Sequence, residues 1–122
     1  MSPFFPVMAG GAVGAGLRFA LSRALPAAPG GWPTATLIAN LVGALVMGLL
    51  VAWVERSVPN ASLRLFLAPG LLGGFTTFSA FSLETVQLME AGRPALAGAY
   101  IVASVVGGLA LLALGLVIGR GA

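Results

Sequence analysis

Composition, the length of the apolar runs and the chemistry of the connectors together predict an all-α membrane protein with four transmembrane helices per chain. Of 122 residues, 59% are hydrophobic and only 7% are charged, with a mean hydropathy of +1.07, far outside the usual balance of water-soluble domains. Apolar stretches at about residues 4–25, 34–54, 63–89 and 95–119 each come close to the roughly 20 residues that cross a bilayer core. Their connectors are short and rich in turn-forming residues, so residues 1–122 read as a single four-span membrane domain.

The first stretch lacks a basic leader and is interrupted by Pro3 and Pro6, so it reads as mature structure and not as a signal peptide. Gly10 and Gly14 repeat the small-xxx-small spacing that lets helices approach closely in lipid. Arg18 sits well inside this span, and two uses are open to it. Snorkelling to an interface is the default, and lending positive charge to an anion vestibule is the functional alternative. After a Pro/Gly-rich connector, the second span places Thr36 and Asn40 four residues apart, on one face. A lone threonine is most often used for interhelical hydrogen bonding. A carboxamide near mid-membrane is costlier to bury, so function and packing weigh about equally for Asn40.

The third stretch carries the most informative residues, Gly73-Gly74-Phe75-Thr76-Thr77-Phe78-Ser79-Ala80-Phe81. Paired glycines are poor helix-interior residues, and the third helix is expected to break near Gly73-Gly74. A helix that opens at bilayer depth must direct its freed carbonyls and amides toward protein, water or an ion. Phe78 and Phe81 follow at helical spacing, while Ser79 and Ser82 fall on another face. Such an aromatic pair usually faces lipid or core, yet ring edges are electropositive and can line a route for a small anion without trapping it. Glu84, further along, is expected to pair with an arginine or a hydroxyl. In the fourth stretch Ala95, Ala99, Ala103, Gly107, Gly115 and Gly119 share one packing row, and Tyr100 and Ser104 are four apart.

Six arginines with no lysine, against three acids, give a net charge of +3, too sparse and scattered for a nucleic-acid footprint. Cysteine, histidine and aspartate are absent, which removes thiol chemistry, soft-metal sites and histidine acid–base catalysis. Arg56, Arg64 and Arg120 fall on the side of the termini, and Arg18, Arg23 and Arg93 fall toward the other side. The positive-inside rule therefore encodes no strong orientation. Either one or two arginines dominate, or copies insert both ways and pair antiparallel.

With these motifs in order, the chain resembles the Fluc (also called CrcB) fluoride channels over nearly its whole length. Gly10-Gly11-Ala12-Val13-Gly14-Ala15-Gly16-Leu17-Arg18-Phe19 is similar to that family's glycine-rich first span, and Thr34-Ala35-Thr36-Leu37-Ile38-Ala39-Asn40-Leu41-Val42-Gly43 is similar to its second. Residues 73–81 reproduce its phenylalanine motif, with Ala80 where threonine is common. The resemblance implies an antiparallel dual-topology homodimer in the inner (plasma) membrane, with two fluoride pores. Backbone carbonyls of Gly73 and Thr76 from both subunits would hold a central structural sodium ion. Phe78 and Phe81 match the phenylalanine box, Asn40 the pore asparagine, Arg18 the vestibule arginine, and Tyr100 and Ser104 the polar track. Thr36 joins them on the second span, and Glu84 and Ser82 take supporting places. Where the track often continues with a hydroxyl this chain has Gly107-Gly108, so Thr77 or Ser82 is a candidate for the missing donor. Gly73, at the implied two-fold axis, is expected to tolerate a side chain far less than Gly115.

The implied function is passive fluoride export that confers fluoride resistance, since neither a phosphate-binding loop nor acids spaced for proton exchange are visible. The alternative is a small multidrug-type proton-coupled cation transporter of similar size. That mechanism needs a carboxylate in the first span, whereas the first acid here is Glu55, in the loop after the second. A purely structural assembly protein would explain the small-residue rows but not the polar and aromatic residues around the break, and an enzyme lacks an acid–base pair. Dual insertion has a direct test: two or three lysines added within residues 55–60 force one orientation and reduce flux, and an oppositely biased copy restores it. Full activity from one forced orientation would sink the antiparallel arrangement.

Overall fold

The computed structural model describes residues 2–27, 31–57, 60–76 and 78–121, and every regular element among them is helical. Helix α1 spans Phe4–Ala24 and α2 spans Thr34–Ser57. The third span, Ala61–Glu90, is assembled from pieces: α3 (Ala61–Leu65), a π-helical segment (Phe66–Leu72), α4 (Gly73–Phe75) and α5 (Phe78–Glu90). Helix α6 spans Pro94–Gly121. Four helical stretches are thus long and apolar enough to cross a membrane.

Local chemistry accounts for the ends. Asn60 caps α3 by accepting from the Leu63 N–H at 3.1 Å. Helix α5 stops in a Schellman turn: the Gly92 N–H donates to Met89 O and the Arg93 N–H to Leu88 O. Its αL position is filled by Gly92 at φ 77°, which a Cβ would disfavour. Pro94 then opens α6, where a missing N–H costs nothing.

Packing is organised as two parallel helix pairs. Glycines on α1 meet the third span backbone to backbone: a Cβ on Gly10 would collide with Phe66 O, one on Gly14 with Leu71 O, and one on Gly74 with Gly11 O. On α2 and α6, Gly48 and Gly115 meet in the same way, a Cβ on the first colliding with Leu112 O and on the second with Leu45 O, and Gly119 rests on Ala52. The later part of the fourth span's small-residue row, Gly107, Gly115 and Gly119, therefore faces α2, while Ala95 and Ala99 at its start are exposed. Arg120 closes the far end of this pair with two 2.9 Å bonds to the Glu55 carboxylate. The outward surface stays apolar, with Phe4, Phe5, Val102, Leu109 and Val117 all more than half exposed, as a lipid-facing exterior requires.

The third helix breaks near Gly73-Gly74 as expected, and the structure adds detail to that reading and corrects one position elsewhere. The break lies just beyond the glycine pair: Gly73 and Gly74 are helical, and the first extended residue is Thr76, at φ −101° and ψ 146°. Gly74 is instead used for its close approach to α1. The widened turn at Phe66–Leu72 carries no simple sequence period. Its interior Pro69 lacks an N–H and would crowd the Leu65 carbonyl in an α-helix, a conflict that the wider π spacing relieves. Gly115 is not the tolerant position expected, since it sits in the tightest part of the α2–α6 seam, whereas Gly73 has its nearest obstacle, Ala68 O, at 3.8 Å within the chain.

These contacts predict that Gly10→Ala and Gly115→Ala each destabilise the folded chain by about 1–3 kcal/mol, the usual cost of overpacking. Gly16→Ala, with open space within 4 Å of its Cβ, leaves unfolding in detergent unchanged or slightly raised.

Candidate functional site

The site forms where the third span loses its helix. Thr76, the last described residue before the break, turns its N–H and its hydroxyl back to Leu72 O, at 3.1 and 3.2 Å. Its methyl packs on Gly43 of α2, where a Cβ would displace it. Beyond the break α5 restarts at Phe78. The gap between these ends, α2 and α6 is a cavity of about 240 Å³ lined by Asn40, Thr76, Phe78, Phe81, Ser104 and Val105. Asn40 and Thr76 also border a second cavity of about 290 Å³ toward Gly43, Met47, Leu72 and Leu112.

The chemistry of the first cavity is neutral and rich in donors. Asn40 offers an amide from a half-buried position on α2. The Ser104 hydroxyl is buried without a protein partner, the one such side-chain oxygen or nitrogen among the described residues. A buried hydroxyl without a partner is costly unless something else fills its shell. Phe78 and Phe81 stand at the break with ring centroids 5.8 Å apart.

A second polar group adjoins the aromatic wall. Tyr100 is fully buried, and its hydroxyl donates to Glu84 Oε1 at 3.3 Å, with the Thr36 hydroxyl also in hydrogen-bonding reach. Glu84 thus has the hydroxyl partner that its position suggested. The Tyr100 ring meets Phe81 at 5.1 Å and Trp32 at 6.0 Å, the latter nearly edge-on at 74°.

Five of the residues singled out by sequence, Asn40, Thr76, Phe78, Phe81 and Ser104, converge on one cavity. Thr36, Glu84 and Tyr100 form the adjoining cluster. Arg18 lies elsewhere, its Nε 3.4 Å from Gly74 O, so it braces the helical side of the break. Ser82 is half-buried on α5 and does not line the cavity. Thr77 falls outside the described residues. Gly73 is exposed on the chain's outer surface. At Gly107, where the resemblance implies that a polar track would continue, a Cβ would stand 2.9 Å from Leu41 Cδ2. Sequence reasoning passed over Trp32, whose place beside a membrane end resembles an ordinary interfacial anchor.

A broken span with a neutral, donor-rich and aromatic cavity at its break defines a multi-pass membrane protein with an intramembrane polar site. The chain belongs to the CrcB family: the profile described as CrcB-like protein, Camphor Resistance (CrcB), matches residues 5–116. A Sphingopyxis alaskensis protein named fluoride-specific ion channel FluC is 49% identical over 122 residues, covering 98% of this chain and 97% of the relative. Relatives of the same name from Novosphingobium aromaticivorans and Hyphomonas neptunium are 50% and 46% identical, covering 94% and 98% of this chain and 94% and 97% of their own lengths.

Opposite stability effects are expected at the two hydroxyls. Ser104→Ala leaves thermal stability unchanged or raised, because no protein hydrogen bond is lost. Tyr100→Phe removes the donor to Glu84 and lowers stability by about 1–3 kcal/mol. Unfolding of both variants in the same detergent checks the contrast.

Proposed function

We propose that the chain is a passive, fluoride-selective anion channel that lets fluoride leave the cytoplasm and so confers fluoride resistance. The observation that carries this is the cavity at the break, where an amide, an unpartnered buried hydroxyl and two phenylalanines meet with no fixed charge among its lining residues. A small, strongly hydrated anion needs close donors in place of water, and it must also be able to leave. Neutral donors and ring edges meet both needs, where an arginine would hold the ion too tightly. The names of the relatives supply the identity of the anion. Because hydrogen fluoride enters from acid surroundings and ionises inside, an open anion path drains it outward under the membrane potential.

The proton-coupled cation alternative is disfavoured by the placement of the acids. Glu55 is held by Arg120 at the end of its helix, Glu84 is engaged by Tyr100, and Glu90 lies exposed at the end of α5. None stands free at the cavity as an exchange site.

The working form is proposed to be an antiparallel dual-topology homodimer, with lipid around it and a pore on each side of the two-fold axis. Gly73 supports this arrangement, since nothing in its own chain requires a glycine there and its open, exposed face suits close approach by a second copy. A structural sodium ion fits the same place. The described residues hold no group of three or more His, Cys or acidic side chains that could bind a metal, and hard cations accept backbone carbonyl oxygens as ligands. Carbonyls of Gly73 and extended Thr76 from both copies would hold the ion, which supplies charge to join the two breaks and takes no part in conduction.

Reconstituted liposomes test the proposal: fluoride efflux is expected, with neither chloride flux nor proton-driven uptake of a lipophilic cation. Asn40→Asp adds a repelling charge and Phe81→Ile removes a ring edge. Each slows fluoride flux roughly two- to tenfold or more while size-exclusion behaviour is kept. Gly73→Val loses the dimer, and Gly16→Ala does not. Chloride passing as fast as fluoride, or variants at the wild-type rate, would overturn the assignment.

A further inference from the structure

The structure holds a contact that reaches the cavity from outside it. Trp32 stands in the connector before α2, where its carbonyl accepts both the N–H of Thr34, at 2.9 Å, and its hydroxyl, at 3.4 Å. The next carbonyl, of Pro33, accepts from Leu37 N at 3.1 Å. The residue is therefore tied to the entry of α2, and its ring is half-buried against the Leu88, Ala97 and Tyr100 cluster. An interfacial anchor would behave differently. Trp53, on α2, is 42% exposed and does fit the anchoring role.

From Trp32 a continuous ladder of rings runs to the break: Trp32 to Tyr100 at 6.0 Å, Tyr100 to Phe81 at 5.1 Å, and Phe81 to Phe78 at 5.8 Å. Tyr100 is held at its hydroxyl by Glu84, and its ring is held between Trp32 and Phe81. An aromatic ring has a positive edge and a negative face, so the tilt of Phe81 decides whether the cavity presents attraction or repulsion to an anion.

We propose that Trp32 is a positioning residue for the anion route, acting through Tyr100 to fix the tilt of Phe81 at the cavity. The inference rests on the channel reading above and adds to it a control point outside the pore. The indole is needed as an edge-on ring against Tyr100, so phenylalanine can replace it and leucine cannot.

The test is fluoride efflux from liposomes carrying equal amounts of assembled protein. Trp32→Leu is expected to slow efflux roughly two- to tenfold, the scale of one lost aromatic pair. Trp32→Phe restores efflux to within about twofold of wild type, a rescue that bulk packing alone does not predict. In a Tyr100→Leu background, Trp32→Leu adds no further loss, because the two residues act in series. Wild-type efflux in Trp32→Leu, additive losses in the double variant, or a Trp32→Leu chain that fails to assemble each overturns the inference. Wild-type liposomes that pass no fluoride would instead overturn the channel reading, and that is measured first.

Discussion

Backbone-to-backbone contact between helices is the constraint from which the rest of this structure follows. In lipid no hydrophobic effect draws one helix to another, so association relies on van der Waals contact at short range. Glycine supplies that range by removing the side chain, at Gly10, Gly14 and Gly74 in one seam and at Gly48 and Gly115 in the other. The seams lock α1 to the first half of the third span and α2 to α6. What they leave less tightly held is the second half of the third span, and the break falls at that boundary.

The cavity is a consequence of this division. The half before the break is gripped by α1 and by the Arg18 contact to Gly74 O, while α5 leans on α6 through side chains, chiefly Phe81, Glu84 and Leu88 against Tyr100 and Ala97. Two differently anchored halves cannot continue one helical path, so the chain opens between Phe75 and Phe78, with Thr76 extended. Asn40 and Ser104 come to the opening from α2 and α6. Charge is kept at a distance, with Glu84 engaged by Tyr100 and Glu55 bound to Arg120. The neutral surface left at the break is suited to an ion that must pass and not stay.

Much of this was legible in the residues, for identifiable reasons. Apolar run length is a direct physical requirement of the bilayer, so the four helical stretches could be read with no knowledge of packing. Spacing of four residues put Thr36 with Asn40 and Tyr100 with Ser104; in the structure Asn40 and Ser104 line the cavity, and Thr36 and Tyr100 meet in the cluster beside it. Other features were hidden because they depend on partners distant in sequence. Whether a glycine in a small-residue row is tolerant or critical turns on what faces it, which is why Gly115 was misjudged. The π turn is a compromise between Pro69 and the α1 seam, and composition alone does not announce it. Trp32 drew no reading from the sequence, because its neighbour Tyr100, 68 positions away in number, is brought beside it only by the fold.

The sequence by itself determined the class of molecule, the spans, the neutral character of the intramembrane polar residues and the span that would break, because these follow from solvation and helical period within single segments. Tertiary structure alone decided where the break falls, which residues share the cavity, which glycines are critical to the seams, and how a connector tryptophan comes to rest against Tyr100. Those outcomes depend on distances between segments, and in a membrane bundle such distances are set by the few places where one backbone can touch another.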